Sequence, residues 1–354
     1  MMRLLPLLGI ILFSNLACMA ATAQNLNCKG IWITPEELAK LPTTGKGWRN
    51  LKLAADKPAQ SPNLANQDDP TNVIVLAKAL VHARKGYESY RREVIQACMA
   101  AIGTERGART LALGRELIAY VIAADLVGLP VEQDEVFRKW LADVRHTYLK
   151  GRTLVTTHED RPNNWGTHAG ASRLAIAVYL EDEQEIERCA AVFKGWLGDR
   201  GSYAGFEYGK LHWQADPHYP VGINPKGATR ANHSIDGVLP DDQRRAGEFT
   251  WAPPKENYVY EALQGALAQA VILSRLGYGV WDWEEQALLR AFNWLHDEAD
   301  FPADGDDTWQ PHLINHYYGK QFPAPVPTRP GKNLGWTEWT HGRFAPGQNK
   351  KASN

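Results

Sequence analysis

The sequence predicts a mainly α-helical protein folded as an α/α toroid, an incomplete α/α barrel of inner and outer helices joined by long loops. Most segments after residue 70 carry apolar residues at i, i+3, i+4 and i+7, as Leu113, Leu117 and Val121 do. The alternating pattern of half-buried strands is absent. A weak internal repeat of paired helices is the third observation that favours this fold class.

The repeat joins an almost wholly apolar helix, through a short turn, to an amphipathic helix that ends in Trp-Leu. It occurs at residues 118–141, 174–197 and 267–295. An apolar helix is buried on all sides, whereas an amphipathic helix exposes one face to solvent. Such inner–outer hairpins either close into a toroid or stack as a solenoid. Their uneven spacing, with long polar loops between them, favours the toroid.

The helical patterns occupy most of the chain between residues 72 and 298. In order, they cover residues 72–85, 88–102, 110–128, 132–149, 164–180, 183–198, 258–277 and 284–298. Residues 202–255 form the longest stretch without helical periodicity, and a loop of that length in a compact domain is usually functional. The Pro-rich tail from residue 301 is expected to wrap the domain surface.

The first residues have the pattern of an export signal. Arg3 supplies a positive charge, a short apolar run follows, and Ala21-Thr22-Ala23 provides a small-residue cleavage site. We therefore expect a signal peptide over residues 1–23, a single domain over residues 24–354, and a periplasmic or secreted location. No later segment is long and apolar enough to span a membrane.

Composition excludes several classes of partner and cofactor. The net charge of -1 argues against non-specific nucleic-acid binding, which needs a basic surface. Neither the cysteines nor the histidines show the spacing of a metal site, so we expect no metal and no cofactor. A disulfide between Cys28 and Cys98 stays open. Many of the 13 Trp and 13 Tyr residues lie on polar loops, where they either stack on sugar rings or fill gaps between helices.

A first candidate cluster is the stretch PNNWGTHAG at residues 162–170. Asn163 is the better helix cap, and Asn164 and His168 project from one helix face about one turn apart. A neutral amide and an imidazole aimed into a cavity can hold a carboxylate and move a proton. A plain cap, with a histidine bonded to a loop carbonyl, is the structural alternative.

A second cluster lies in the long loop, where ANHSIDGVLPDDQRRAGEF places His233 near acidic residues and near Arg244 and Arg245. The histidine is a candidate base, and either arginine is suited to an anionic substrate. A solvated polar loop is an equal alternative. The third cluster is NYVYEALQGAL, in which Tyr258 and Glu261 begin an inner helix within reach of Arg245. Tyr258 is either an acid or base of the site or an aromatic staple at the helix entrance.

Together, NNWGTHAG, HSIDGVLPDDQRR and NYVYEALQGAL resemble motifs of the alginate lyase superfamily of polysaccharide lyases. The resemblance extends from residues 30–32 to the Trp-rich tail and implies an α/α toroid with a deep cleft. The family motif has Asn-Asn-His where this chain has Asn163, Asn164 and Trp165. The resemblance thus assigns the carboxylate-neutralising amide to Asn164 and leaves the base to His233, His168 or Tyr258.

Further site residues follow from the same resemblance. Arg245 is similar to the family arginine, with Arg244 as the alternative, and Tyr258 matches the catalytic tyrosine, with Tyr260 as runner-up. The residues expected to contact substrate are Asn163, Trp165, His168, Arg244, Tyr260 and Glu261.

The implied reaction is β-elimination in a 1,4-linked uronic-acid polymer, by a monomer that needs no cofactor. Asn164 and Arg245 would neutralise the carboxylate, and histidine and tyrosine would act as base and acid. Two other classes remain open. A toroidal glycoside hydrolase would need paired carboxylates, for which Asp236, Asp241 and Glu261 are candidates, and a polysaccharide-binding protein would need no catalytic group.

Overall fold

Fourteen α-helices follow one another in the computed structural model, which describes residues 28–342. The expected signal peptide lies outside these residues. The helices are α1 (Pro35–Lys40), α2 (Gly45–Ala55), α3 (Thr71–Lys85), α4 (Glu88–Ala101), α5 (Thr110–Val127), α6 (Val131–Val144), α7 (Leu154–Asp160), α8 (Asn164–Leu180), α9 (Glu183–Leu197), α10 (Pro240–Gln243), α11 (Tyr258–Arg275), α12 (Trp283–Asn293), α13 (Gln310–Tyr318) and α14 (Thr337–Thr340).

Each helix predicted from the apolar periodicity is present, with ends that differ by a few residues. The largest difference is at α6, which ends at Val144 rather than at residue 149, because the chain turns there and Leu149 pairs with Arg152. Periodicity missed six helices, five of which are shorter than 11 residues: α1, α2, α7, α10, α13 and α14. Elements of this length show too few turns for a repeat of apolar positions to stand out.

The centre of the molecule is helix α8, which packs against α5 on one side and α11 on the other. All 18 residues of α5 are buried, as are nearly all those of α8 and α11. By contrast, α4, α6, α9 and α12 bury one face and expose the other. Apolar inner helices paired with amphipathic outer helices confirm the predicted α/α toroid.

Two glycines allow the inner helices to approach closely. A Cβ atom on Gly265 of α11 would lie 2.4 Å from the carbonyl carbon of Thr167, and one on Gly114 of α5 would lie 2.8 Å from the nitrogen of Ala169. Both contacts flank His168, so the backbones of α5 and α11 are closest to α8 at this residue. The side chains next to these glycines therefore meet there.

The long loop before α11 is well anchored. It contains a two-stranded hairpin, β1 (Thr229–Arg230) and β2 (His233–Ser234), followed by α10 and a short 3-10 turn, Arg244–Ala246. Arg290 of α12 donates hydrogen bonds to the carbonyl of Asn224 at 2.7 Å and to Asp236 at 2.6 Å. The loop is thus fastened to the outer helix layer.

The C-terminal tail enters the core, contrary to the expectation that it covers the surface. Trp309, Leu334, Trp336 and Trp339 are each at most 1% exposed. The amide of Asn333 donates to the carbonyl of Gln264 on α11 at 3.0 Å. Tryptophans spaced along a Pro-rich segment show no periodicity, so their burial follows from tertiary packing alone.

Two further features concern the described residues as a set. None of their helices has the length and apolar character needed to cross a bilayer. Cys28, Cys98 and Cys189 are free thiols, so no Cys28–Cys98 disulfide is present.

Candidate active site

A cleft of about 490 Å³ opens where the three inner helices begin. The N-terminal residues of α5, α8 and α11 face it, and the positive ends of helix dipoles favour an anionic ligand there. Its volume lies within the range of small-molecule sites. It is lined by Gln67, Asp68, Arg109, Leu111, Arg115, Trp165, Arg245, Asn257, Tyr258, Glu261 and Lys332.

Tyr258 and Arg245 form one side of the cleft. The guanidinium carbon of Arg245 lies 3.6 Å from the centroid of the Tyr258 ring, a close cation–π contact. Tyr258 is 37% exposed, and Arg245 has no carboxylate partner among the described residues. This side therefore presents a phenol and an unneutralised cation to a ligand.

Arg244 occupies a different position from its neighbour. Its Nε and Nη2 atoms donate to Asp241 at 2.7 and 3.1 Å, and its guanidinium packs against Gly209. The bidentate pair is local and joins the 3-10 turn that Arg244 begins to α10, which contains Asp241. Of the two arginines weighed from the sequence, the cleft is lined by Arg245, and Arg244 is held in a structural ion pair.

The paired asparagines have distinct surroundings. Asn163 caps α8 by accepting from the backbone N–H of Trp165 at 3.2 Å, and its Nδ2 donates to Asp241 at 2.9 Å. The backbone N–H of Asn164 donates to Asp242 at 3.1 Å, but its side-chain Oδ1 and Nδ2 have no partner among residues 28–342. Asn164 is fully buried next to Trp165 and is not itself among the residues that line the cleft. Burial, reinforced by the charge of Asp241, raises the pKa of Asp242 well above its ordinary value.

One turn further along α8, His168 meets an ion pair from the neighbouring helices. Its Nε2 lies 3.8 Å from Oε2 of Glu261, and Glu261 pairs with Arg115. His168 is fully buried, neither ring nitrogen has a hydrogen bond, and burial lowers its pKa to about 4. Burial alone would raise the pKa of Glu261, but His168 and the charge of Arg115 hold it below its ordinary value. His168 is thus a neutral ring behind Glu261.

The remaining sequence-derived candidates lie in three different settings. Trp165 lines the cleft, with the guanidinium of Arg161 6.0 Å from its ring centroid. His233 lies in the hairpin, stacked on Trp251 at 4.3 Å, and is not among the lining residues. Tyr260 is buried, and its hydroxyl donates to the carbonyl of Phe301 at 2.6 Å.

Several cleft residues were missed by the sequence reading. Arg109 and Arg115 lie near the start of α5. Two arginines beside an apolar helix were a signal from which a cationic site could have been predicted. Asp68 and Lys332 come from distant segments joined by an ion pair of 2.9 Å, so no local pattern reveals them.

The cleft carries an excess of positive charge. Arg115 and Lys332 are neutralised by Glu261 and Asp68, whereas Arg109 and Arg245 have no carboxylate partner within residues 28–342. In the same part of the chain, no three His, Cys, Asp or Glu side chains group closely enough to hold a metal ion. The side chains suit an anionic ligand.

The fold and the cleft thus define an α/α-toroid protein with a cationic site at the N-terminal ends of its inner helices. Residues 89–206 match the alginate lyase family model, which supports an alginate lyase domain and polysaccharide lyase activity in general. The match includes the Asn163–His168 cluster and ends before Arg245 and Tyr258. A search of curated proteins found no match.

Proposed function

We propose that the protein cleaves a 1,4-linked uronic-acid polymer, alginate rich in mannuronate or glucuronan, by β-elimination in this cleft. The observation that carries the proposal is the pairing of Tyr258 with Arg245, because it combines a proton-transfer group with a cation that has no carboxylate partner among residues 28–342. Membership of residues 89–206 in the alginate lyase family supports the same reaction class.

The first requirement of this reaction is to make the C5 proton acidic. That proton is α to a carboxylate, and its loss places further negative charge on the carboxyl oxygens. Arg245 and the buried amide of Asn164 would bind those oxygens and stabilise the enolate. The unpartnered Oδ1 and Nδ2 of Asn164 support this role, because a buried amide without a partner is costly unless a ligand supplies one.

The second requirement is a base for C5 and an acid for the departing O4. Mannuronate and glucuronate have the same configuration at C4 and C5, so the proton and the leaving group lie on one face of the ring. A single phenol is then sufficient: ionised Tyr258 removes the C5 proton and returns it to O4 as the glycosidic bond breaks. The position of His233 outside the cleft lining favours Tyr258 as the base.

His168 is better suited to positioning than to proton transfer from substrate. Its ring is fully buried and separated from the cleft by Glu261. A guluronate polymer, in which the proton and leaving group lie on opposite faces, would require a base opposite Tyr258. We therefore propose mannuronate or glucuronate at the cleaved position.

The test is ultraviolet absorbance of the unsaturated product on a panel of uronans. Tyr258→Phe is expected to lower kcat by about 10²- to 10⁴-fold while oligosaccharide binding persists, because only the transferable proton is lost. Tyr260→Phe is the matched control, since it removes a phenol hydroxyl two residues away that is bonded to Phe301. Loss of activity in Tyr260→Phe alone would move the catalytic role to that residue.

The hydrolase alternative has less support from the site. Asp236 is bonded to Arg290, Asp241 to Arg244, and Glu261 to Arg115, so each proposed carboxylate is committed to an arginine. Release of reducing sugar without absorbance of the unsaturated product would establish hydrolysis instead. Oligosaccharide binding without turnover in the wild type would leave only the binding-protein alternative.

Export is part of the proposal, because a large anionic polymer is met outside the cytoplasm. The signal over residues 1–23 predicts a mature chain that starts at Gln24. N-terminal sequencing of the protein recovered from the periplasm or medium checks this, and an uncleaved cytoplasmic chain contradicts it. A monomer is expected on sizing with light scattering.

A further inference from the structure

Arg115 is a buried cation with an unused hydrogen-bond donor in the wall of the cleft. Its side chain is 6% exposed, its Nη2 pairs with Glu261, and its Nε has no partner. A guanidinium offers five N–H groups in a planar fork, and leaving one buried without an acceptor costs free energy. The cleft side of Arg115 therefore suits an anionic group from a ligand.

The position of Arg115 is fixed by helix packing. It follows Gly114, the residue at which α5 touches the backbone of α8. Glu261 precedes by one turn Gly265, the residue at which α11 touches the same part of α8. The pair is thus held by two rigid helices, which position side chains more precisely than a loop does.

Arg115 and Arg245 belong to different parts of the cleft wall. Arg245 comes from the turn after α10 and covers Tyr258, whereas Arg115 comes from α5, as does the unpaired Arg109. With Asn164 and Arg245 bound to the carboxylate of the cleaved unit, both of its oxygens are occupied. A uronan carries one carboxylate on every sugar, so a second cation in the same cleft matches a neighbouring unit.

We propose that Arg115 binds the carboxylate of the sugar unit next to the one that is cleaved, and that Glu261 is its counter-ion in the empty cleft. This inference rests on the proposed uronan-lyase function. Glu261 keeps Nη2 of the guanidinium, and the substrate binds the donors of Arg115 that remain. Arg115 is then a specificity residue that requires two adjacent uronates.

The experiment compares two trisaccharides. One carries a carboxylate on every unit, and in the other the unit next to the cleaved one is reduced to a neutral hexose. The wild type should prefer the fully charged trisaccharide by about 10- to 100-fold in kcat/KM, the range of a charge-assisted hydrogen bond. Arg115→Gln should lose this preference through KM, with kcat changed by only a few fold. Arg138→Gln, an arginine bonded to α8 carbonyls from the outer helix α6, should retain it.

Arg115→Gln leaves Glu261 buried without a counter-ion, which destabilises the site, so the double variant Arg115→Gln/Glu261→Gln is measured in parallel. It removes both charges and leaves no buried carboxylate unpaired, and it should also treat the two trisaccharides alike. Full discrimination by either folded variant would overturn the inference.

The inference remains testable if the lyase proposal fails. Calorimetric binding of the same trisaccharides measures the contribution of the flanking carboxylate without any turnover. Absence of elimination by the wild type, together with a binding preference that depends on Arg115, would reject the lyase function and keep the Arg115 site. Binding that ignores the flanking carboxylate in the wild type would reject the Arg115 site.

Discussion

Trp165 is the residue that most distinguishes this chain from the lyases it resembles, because it stands directly after Asn164 where they have histidine. The structure places its indole in the cleft wall beside Arg161. An indole cannot accept a proton from C5, but its face can stack on a pyranose ring. The substitution thus changes a proton-transfer position into an apolar contact and leaves Tyr258 as the proton-transfer group we propose.

His168 leads to a prediction about stability and pH. Its pKa of about 4 in the folded protein lies below the ordinary value of 6.5, because burial disfavours the charged ring. As the pH falls from 6.5 to 4, the unfolded chain takes up a proton that the folded protein does not. The stability that neutral His168 provides is therefore present above pH 6.5 and is lost on acidification, by about 3 kcal/mol in total.

The measurement is urea unfolding of the wild type and His168→Gln at several pH values between 7 and 4. The difference in unfolding free energy between the two proteins should shift in favour of the variant as the pH falls. Glu261, whose pKa is lowered by the same contact, contributes to the shift in the same direction. A difference that stays constant over this range would show that the pKa of His168 is not lowered in the folded protein.

At the scale of the elements, the arrangement of the site depends on how closely α5 and α11 approach α8. Gly114 and Gly265 permit this approach on either side of His168, and they bring Arg115 and Glu261 together. An Ala at either position would favour an isolated helix by about 1 kcal/mol. Steric overlap opposes this gain, because the new Cβ would meet backbone atoms that cannot rotate away.

Gly265→Ala is therefore expected to destabilise the protein by about 1–3 kcal/mol, since its Cβ would lie 2.4 Å from the carbonyl carbon of Thr167. Uronan turnover should fall as well, because Glu261 and Tyr258 lie on the displaced helix. Urea unfolding and the absorbance assay measure the two effects.

Gly279→Ala is the matched control. A Cβ there meets no atom within 4 Å, and its φ of -76° is accessible to alanine. Unchanged stability in Gly265→Ala would show that the helices separate without cost, and the packing argument would then be wrong.

At the scale of the whole molecule, net charge and local charge differ in sign. The chain has a net charge of -1, yet the cleft holds Arg109 and Arg245, which have no carboxylate partner in the part of the chain that the structure describes. A low-dielectric cleft with an excess of one sign of charge concentrates oppositely charged ligands. Attraction of an anionic polymer therefore depends on this region and not on the average surface.

Salt should weaken binding of the polymer. The Debye length falls from about 10 Å at 0.1 M to about 3 Å at 1 M, so KM for a uronan is expected to rise roughly tenfold over this range. The dependence of kcat on salt concentration should be smaller, since bound substrate separates the cleft from bulk ions.

Arg109→Gln provides the comparison for this effect. The side chain is exposed at the start of α5, so its loss should reduce the salt dependence of KM without loss of stability. A KM that is insensitive to salt in the wild type would contradict electrostatic attraction as the source of affinity.

The sequence by itself determined the longer helices, the inner–outer pairing and the toroid. Apolar periodicity is a local property of the chain, so it can be recognised without knowing which segments pack together. The sequence also indicated Asn164, Tyr258 and Arg245, which lie in short motifs. The stretch that matches the alginate lyase family model, residues 89–206, contains Asn164 but neither Tyr258 nor Arg245. The roles of these residues remain predictions.

Only the tertiary structure decided which charges meet. It separated Arg245 from Arg244, placed His233 against Trp251 in the hairpin, and joined Arg115 to Glu261. It also buried the tail tryptophans and left Cys28, Cys98 and Cys189 unpaired. Such contacts join residues far apart in the chain, and their energies depend on burial and distance, which a linear pattern of residue types does not contain.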